Sequence, residues 1–147
     1  MRRWLIGLAL ALAAETAALA CSCIAPGTPE QSRSMAREVV ANAVAIVEVQ
    51  ALSGYRYGGG GERVRLGRTL WGKAPAREFR IERRDHASSA ACDLLLERGQ
   101  KKLLILYPAT DRRQRGKAYR MQSLCSDYLL SGRFLRVTLE EARRRAR

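Results

Sequence analysis

Leu103-Leu104-Ile105-Leu106-Tyr107, stopped by Pro108, is the most apolar stretch beyond the first twenty residues of this chain. Five residues are too few for a buried helix, and the proline cannot continue one, so the run reads as a central strand. Strand signals recur on both sides of it. Upstream, Phe79 and Ile81 stand two apart and share one face of a strand. From Arg63 to Trp71, Val64, Leu66 and Leu70 alternate with Arg65, Arg68 and Thr69, a half-buried strand that ends at Gly72-Lys73. Val39, Val40, Val44, Ile46, Val47 and Val49 form a β-branched stretch long enough for a bent first strand. Downstream, Asp111 to Lys117 is a charged hairpin loop, and Tyr119, Met121 and Ser123 then alternate with Arg120 and Gln122.

Between these runs lie turns, including the glycine-rich Gly54 to Gly61 and the polar Asp85 to Ala90 that leads into Cys92. Thr28 is placed to cap a helix running through Glu38. After Cys125 the pattern turns helical, with Leu129, Leu130, Phe134 and Leu135 on one face. Thr138 is placed to cap a basic C-terminal helix from Leu139 to Arg145. The fold class expected is mainly β with flanking helices: five short strands closing a small barrel.

The first twenty residues read as a signal peptide. Arg2 and Arg3 precede the apolar run Trp4 to Ala14, and Ala18-Leu19-Ala20 supplies small residues before Cys21. That run has 11 residues, whereas a helix needs about 20 to cross a bilayer. Cleavage before Cys21 leaves residues 21–147 as one exported domain, periplasmic or secreted, with no transmembrane segment. Lipid attachment at Cys21 is the alternative. It would anchor the protein to a membrane, although Leu19 sits one place late for such a signal.

All four cysteines (Cys21, Cys23, Cys92 and Cys125) follow the leader, and an even number in an exported chain of this size argues for disulfides. A four-thiolate zinc site is the rival, but Cys92 and Cys125 each lack the close neighbour that such sites use. Cys21-Ser22-Cys23 places two thiols on one face of an extended segment, so each is free to take a different partner.

The formal charge is +13, and removing the leader, which carries two arginines and one glutamate, leaves +12. That favours polyanions, although sparse aromatics give no stacking platform for bases. Enzymatic chemistry is poorly supplied. The single histidine, His86, sits beside Asp85, Ser88 and Ser89, and sequence neighbours rarely face one another as a triad must. Gly58 to Gly61 lacks the lysine and hydroxyl residue of a phosphate loop. No cofactor is indicated, and the chain is expected to be a binding protein rather than an enzyme.

The Cys-x-Cys after a leader resembles the start of the netrin-like, N-terminal domain of tissue inhibitors of metalloproteinases, in a single-domain form of bacterial type. The similarity continues through Ala43-Val44-Ala45-Ile46-Val47-Glu48-Val49, through Leu70-Trp71-Gly72-Lys73, and through Ala91-Cys92-Asp93-Leu94-Leu95-Leu96-Glu97-Arg98-Gly99. It ends with Leu103 to Tyr107 and Cys125-Ser126, and covers roughly residues 21 to 133. A third disulfide and a separate C-terminal domain, both usual in the animal inhibitors, have no counterpart here.

The resemblance implies an oligonucleotide/oligosaccharide-binding type of barrel with Cys21 bridged to Cys92 and Cys23 to Cys125. It also implies that the α-amine and carbonyl of Cys21 chelate the zinc of a target metalloprotease. Ser22 would then point into the pocket beside the metal, and Cys23 and Ile24 would run along the substrate cleft. The protein itself would hold no metal and act as a monomer. The alternative function is a basic envelope or secreted module that binds polyanions or a protein partner without inhibiting anything.

Overall fold

The computed structural model describes residues 23, 26–54, 56, 61–73, 75–82 and 94–147. The first element, α1 (Pro29–Val40), begins where the sequence marks it. Thr28 accepts a hydrogen bond from the Gln31 N–H, and the Gln31 side chain accepts in return from the Thr28 N–H. This reciprocal cap satisfies two donors that a helix start leaves over, and Pro29 fits the first turn because it has no donor to lose. Helix α1 runs two residues beyond Glu38. Val39 and Val40, expected in the first strand, instead close the helix and pack toward its neighbours.

Five strands follow: β1 (Ala45–Ala51), β2 (Glu62–Gly72), β3 (Glu78–Ile81), β4 (Lys101–Pro108) and β5 (Ala118–Met121). They close a barrel in the order β1-β2-β3-β5-β4, with β4 returning to pair with β1. All pairs are antiparallel except β3 with β5, so the sheet is mixed. The register of β1 on β2 slips between Ile46 and Val47 and again between Glu48 and Val49. Each slip leaves one extra residue on β2, and such bulges sharpen the twist that lets a long strand curl around a small barrel.

Burial explains why β1 and β4 are so apolar. Ala45, Val47, Val49 and Ala51 point into the barrel with Leu104 and Leu106, where they meet Val64, Phe79 and Ile81. The alternate residues Ile46, Leu103, Ile105 and Tyr107 face outward, into a second core shared with the helices. A strand covered on both faces loses the polar half of its alternation. Leu94 and Leu96, just before β4, join the barrel core at 4% and 1% exposure.

The second helix, α2 (Gly132–Arg145), corrects one expectation: Thr138 caps nothing. It lies in mid-helix, fully buried, and its hydroxyl reaches the carbonyls of Leu129 (2.9 Å) and Phe134 (3.0 Å). Leu135, Leu139 and Ala142 repeat at helical spacing and lay one continuous face on the outer core, so the helix starts before Thr138. Its last turn is tied down by Arg145, whose guanidinium donates to the carbonyls of Val40 and Ala43.

Candidate functional site

Two of the residues singled out by sequence, Cys23 and Cys125, meet where the chain leaves β5. A 3-10 helix spans Leu124–Leu130 and carries Cys125, whose sulfur is bonded to that of Cys23. The S–S distance is 2.04 Å, the Cα atoms lie 4.9 Å apart, and 102 residues separate the partners. Cys23 is exposed and Cys125 half-buried, and the bridge ties Cys23 to the 3-10 helix. Of the expected pairings, Cys23–Cys125 is present. The other pair, Cys21 and Cys92, lies outside the described residues, as do Ser22, Ile24 and the His86 group. The described structure therefore contains one disulfide, not two.

What fixes Cys125 is a polar network that the sequence reading passed over. Gln122, 3% exposed, accepts from the Ile105 N–H at 2.8 Å and donates to the Leu103 carbonyl at 3.3 Å. Its amide also approaches Asp127 at 3.4 Å, and Asp127 takes a 2.7 Å salt bridge from Lys102 on β4. β5 ends at Met121, so the Gln122 side chain stands in for the next rung of the ladder. A buried amide that meets backbone donor and acceptor together leaves neither stranded, which such a site requires. Across the 3-10 helix, Tyr128 packs edge-on to Phe134 with ring centres 5.4 Å apart, and its hydroxyl meets the Met35 sulfur of α1 at 3.1 Å. Burial pushes the Tyr128 hydroxyl pKa up.

One apolar side chain at this end of the barrel is out of place. Leu95 is 48% exposed, between the buried Leu94 and Leu96, and is the large hydrophobic residue left in water among those described. Leu94 and Leu96 on either side pack into the barrel core, which leaves the side chain between them facing out. The sequence signal was present in Leu94-Leu95-Leu96, but three leucines in a row do not say which one faces out.

Among the described residues no three histidine, cysteine, aspartate or glutamate side chains cluster as a metal site, and no helix is long and apolar enough to cross a membrane. No family model matches the chain, and neither a curated protein nor a solved structure is found similar to it.

Proposed function

We propose that this protein is an exported inhibitor of a zinc metalloprotease, acting through the α-amine and carbonyl of Cys21 once the leader is removed. The observation that carries this reading is that Cys23, exposed and two residues beyond the expected new N-terminus, is bonded to Cys125 on a 3-10 helix. A second bridge, Cys21–Cys92, completes the proposal. Leu94, two positions after Cys92 in sequence, is buried in the barrel. A closed five-stranded barrel with helices beside it is the architecture that the resemblance to tissue inhibitors of metalloproteinases implies.

Catalytic zinc keeps one position open for water. The Cys21 amine and carbonyl would displace that water as a two-toothed ligand. A reference α-amine has a pKa of about 7.7 to 8.0, so a useful fraction is neutral near pH 7. Holding the segment by disulfides before binding removes much of the ordering cost of association. Ser22 would enter the pocket beside the metal, Cys23 and Ile24 would follow the substrate cleft, and the exposed Leu95 would add an apolar contact at the rim.

The test compares correctly processed protein with a variant carrying one extra alanine before Cys21, assayed on a panel of zinc proteases. The extension keeps the cysteines and buries the chelating amine in a peptide bond. The expected result is inhibition of at least one protease, weakened more than about 100-fold by the extension, which corresponds to about 2.8 kcal/mol. Equal inhibition by both forms excludes chelation. No inhibition, together with steeply salt-dependent retention on heparin, replaces the reading with polyanion binding.

A further inference from the structure

At the opposite end of the barrel, where β2 runs into β3 and β4 into β5, lies an open cleft of about 590 Å³. That is the size of a small-molecule pocket, which typically runs roughly 300–1,000 Å³ with apolar walls and a few placed polar groups. Val44, Pro75, Pro108 and Tyr119 line it, and among the described residues the charged side chains in the lining are two cations, Lys73 and Arg115. The Tyr119 ring stands edge-on to the buried Phe79, with centres 5.2 Å apart, so the apolar wall is continuous with the barrel core.

The sequence builds this geometry locally. Gly72 has φ +84°, and a Cβ there would come within 2.2 Å of the Val44 carbonyl oxygen. Only glycine lets the end of β2 press this closely on the start of β1, and the Lys73 N–H then donates to the Val44 carbonyl at 3.2 Å. The Trp71-Gly72-Lys73 step thereby sets an ammonium beside an apolar wall.

The surrounding charge is predominantly positive. The loop between β4 and β5 carries Arg112, Arg113, Arg115 and Lys117 against a single Asp111, which accepts from the Arg113 backbone N–H. Glu78, at the start of β3, is bound by Arg65 at 2.9 Å. Among the described residues no carboxylate pairs with Lys73 or Arg115. Two unpaired cations over an apolar wall suit a ligand with an anionic head and a hydrocarbon body. A polyanion would leave the wall uncovered, and a neutral hydrocarbon would leave the cations unanswered.

We propose that this cleft binds a free fatty acid, with its chain along Pro75, Pro108 and Tyr119 and its carboxylate between Lys73 and Arg115. The proposal does not depend on the inhibitory reading, because it uses the other end of the barrel. The test is a titration of the oxidised protein with monomeric sodium dodecanoate, followed by amide NMR and calorimetry. Saturable binding is expected, with the largest shifts at Val44, Lys73, Gly116 and Tyr119. Decanoate and octanoate should bind progressively more weakly, by up to about fourfold per methylene removed.

Replacing both cations, Lys73→Glu with Arg115→Glu, should weaken dodecanoate at least tenfold while leaving the melting temperature unchanged, since both side chains are exposed. A second variant, Ala76→Trp, should block the cleft sterically with its charges intact. Equal binding of dodecyltrimethylammonium, unaltered binding by the double variant, or shifts centred away from the cleft would overturn the proposal. Association with phosphatidylglycerol vesicles without any response to monomeric dodecanoate would do the same.

Discussion

The two ends of the barrel are held by different means. Past the end of β5, a covalent bond joins residues 102 positions apart, and a buried glutamine with an ion pair fixes the receiving side. At the other end no disulfide is found among the described residues, and Gly72 and Gly116, at φ +84° and +83°, turn the chain. The first geometry is a long-range property. It forms only when folding brings Cys23 to Cys125 under oxidising conditions. The second is written within a few residues of each turn. The proposed inhibitory segment relies on the first kind of restraint, because Cys23 is tied to a partner 102 residues away.

The strongest way to break this contrast is to remove the bridge. Replacing Cys23 and Cys125 together by alanine should cost on the order of 4 to 5 kcal/mol, the chain-entropy value for a loop of about 100 residues. Urea denaturation reads the loss, and amide shifts at Val44, Lys73 and Gly116 should stay in place below the transition. A loss under about 1 kcal/mol would show that the bridge restrains little.

The local end is sharpened by two substitutions that share a backbone conformation but not a neighbourhood. Gly72→Ala should fall at the top of the roughly 1–3 kcal/mol that a left-handed non-glycine residue costs, because its Cβ also meets the Val44 carbonyl at 2.2 Å. Gly116→Ala should fall at the bottom, since nothing lies within 4 Å of the added carbon. If the two cost the same in urea denaturation, close approach at Gly72 does not shape this end.

The smallest effect expected is an alkaline one. Burial raises the Tyr107 hydroxyl from 10.0 to about 12, against a lowering pull from Arg120, and the hydroxyl donates to the Val39 carbonyl at 2.7 Å. The folded state therefore holds this proton more tightly than the unfolded chain does. The resulting stability is complete below pH 10 and is lost as the pH rises toward 12. The difference in urea midpoint between the protein and Tyr107→Phe should be constant below pH 10 and shrink above it. A difference that stays constant across that range would remove Tyr107 from the alkaline response.

Much of the barrel was legible because each strand carried its own signal. The alternation in Arg63 to Trp71 and the run Leu103 to Tyr107 each identified a strand to within two residues at either end. The errors came where tertiary packing overrode local preference. Val39 and Val40 favour strand, yet the Thr28 cap starts a helix whose last turn buries Val40 against α2. Thr138 looked like a cap because threonine caps helices well, but its hydroxyl finds two carbonyls inside one. At the candidate site Cys23 and Cys125 were legible as disulfide candidates from the even number of cysteines. Gln122, Lys102 and Asp127 were not, because a side chain that replaces a ladder rung is visible only when the neighbouring strand is in place.

The claim that Cys21 would coordinate a protease's metal is tested most directly at the metal itself. Cadmium-113 can replace the zinc of a protease found to be inhibited, and the processed protein can be labelled with nitrogen-15 at cysteine. The account predicts a cadmium resonance shifted on complex formation and split by coupling to the Cys21 amine, with no splitting from the alanine-extended variant. A cadmium signal unchanged from that of the free protease, in a complex that is nonetheless inhibited, would contradict it.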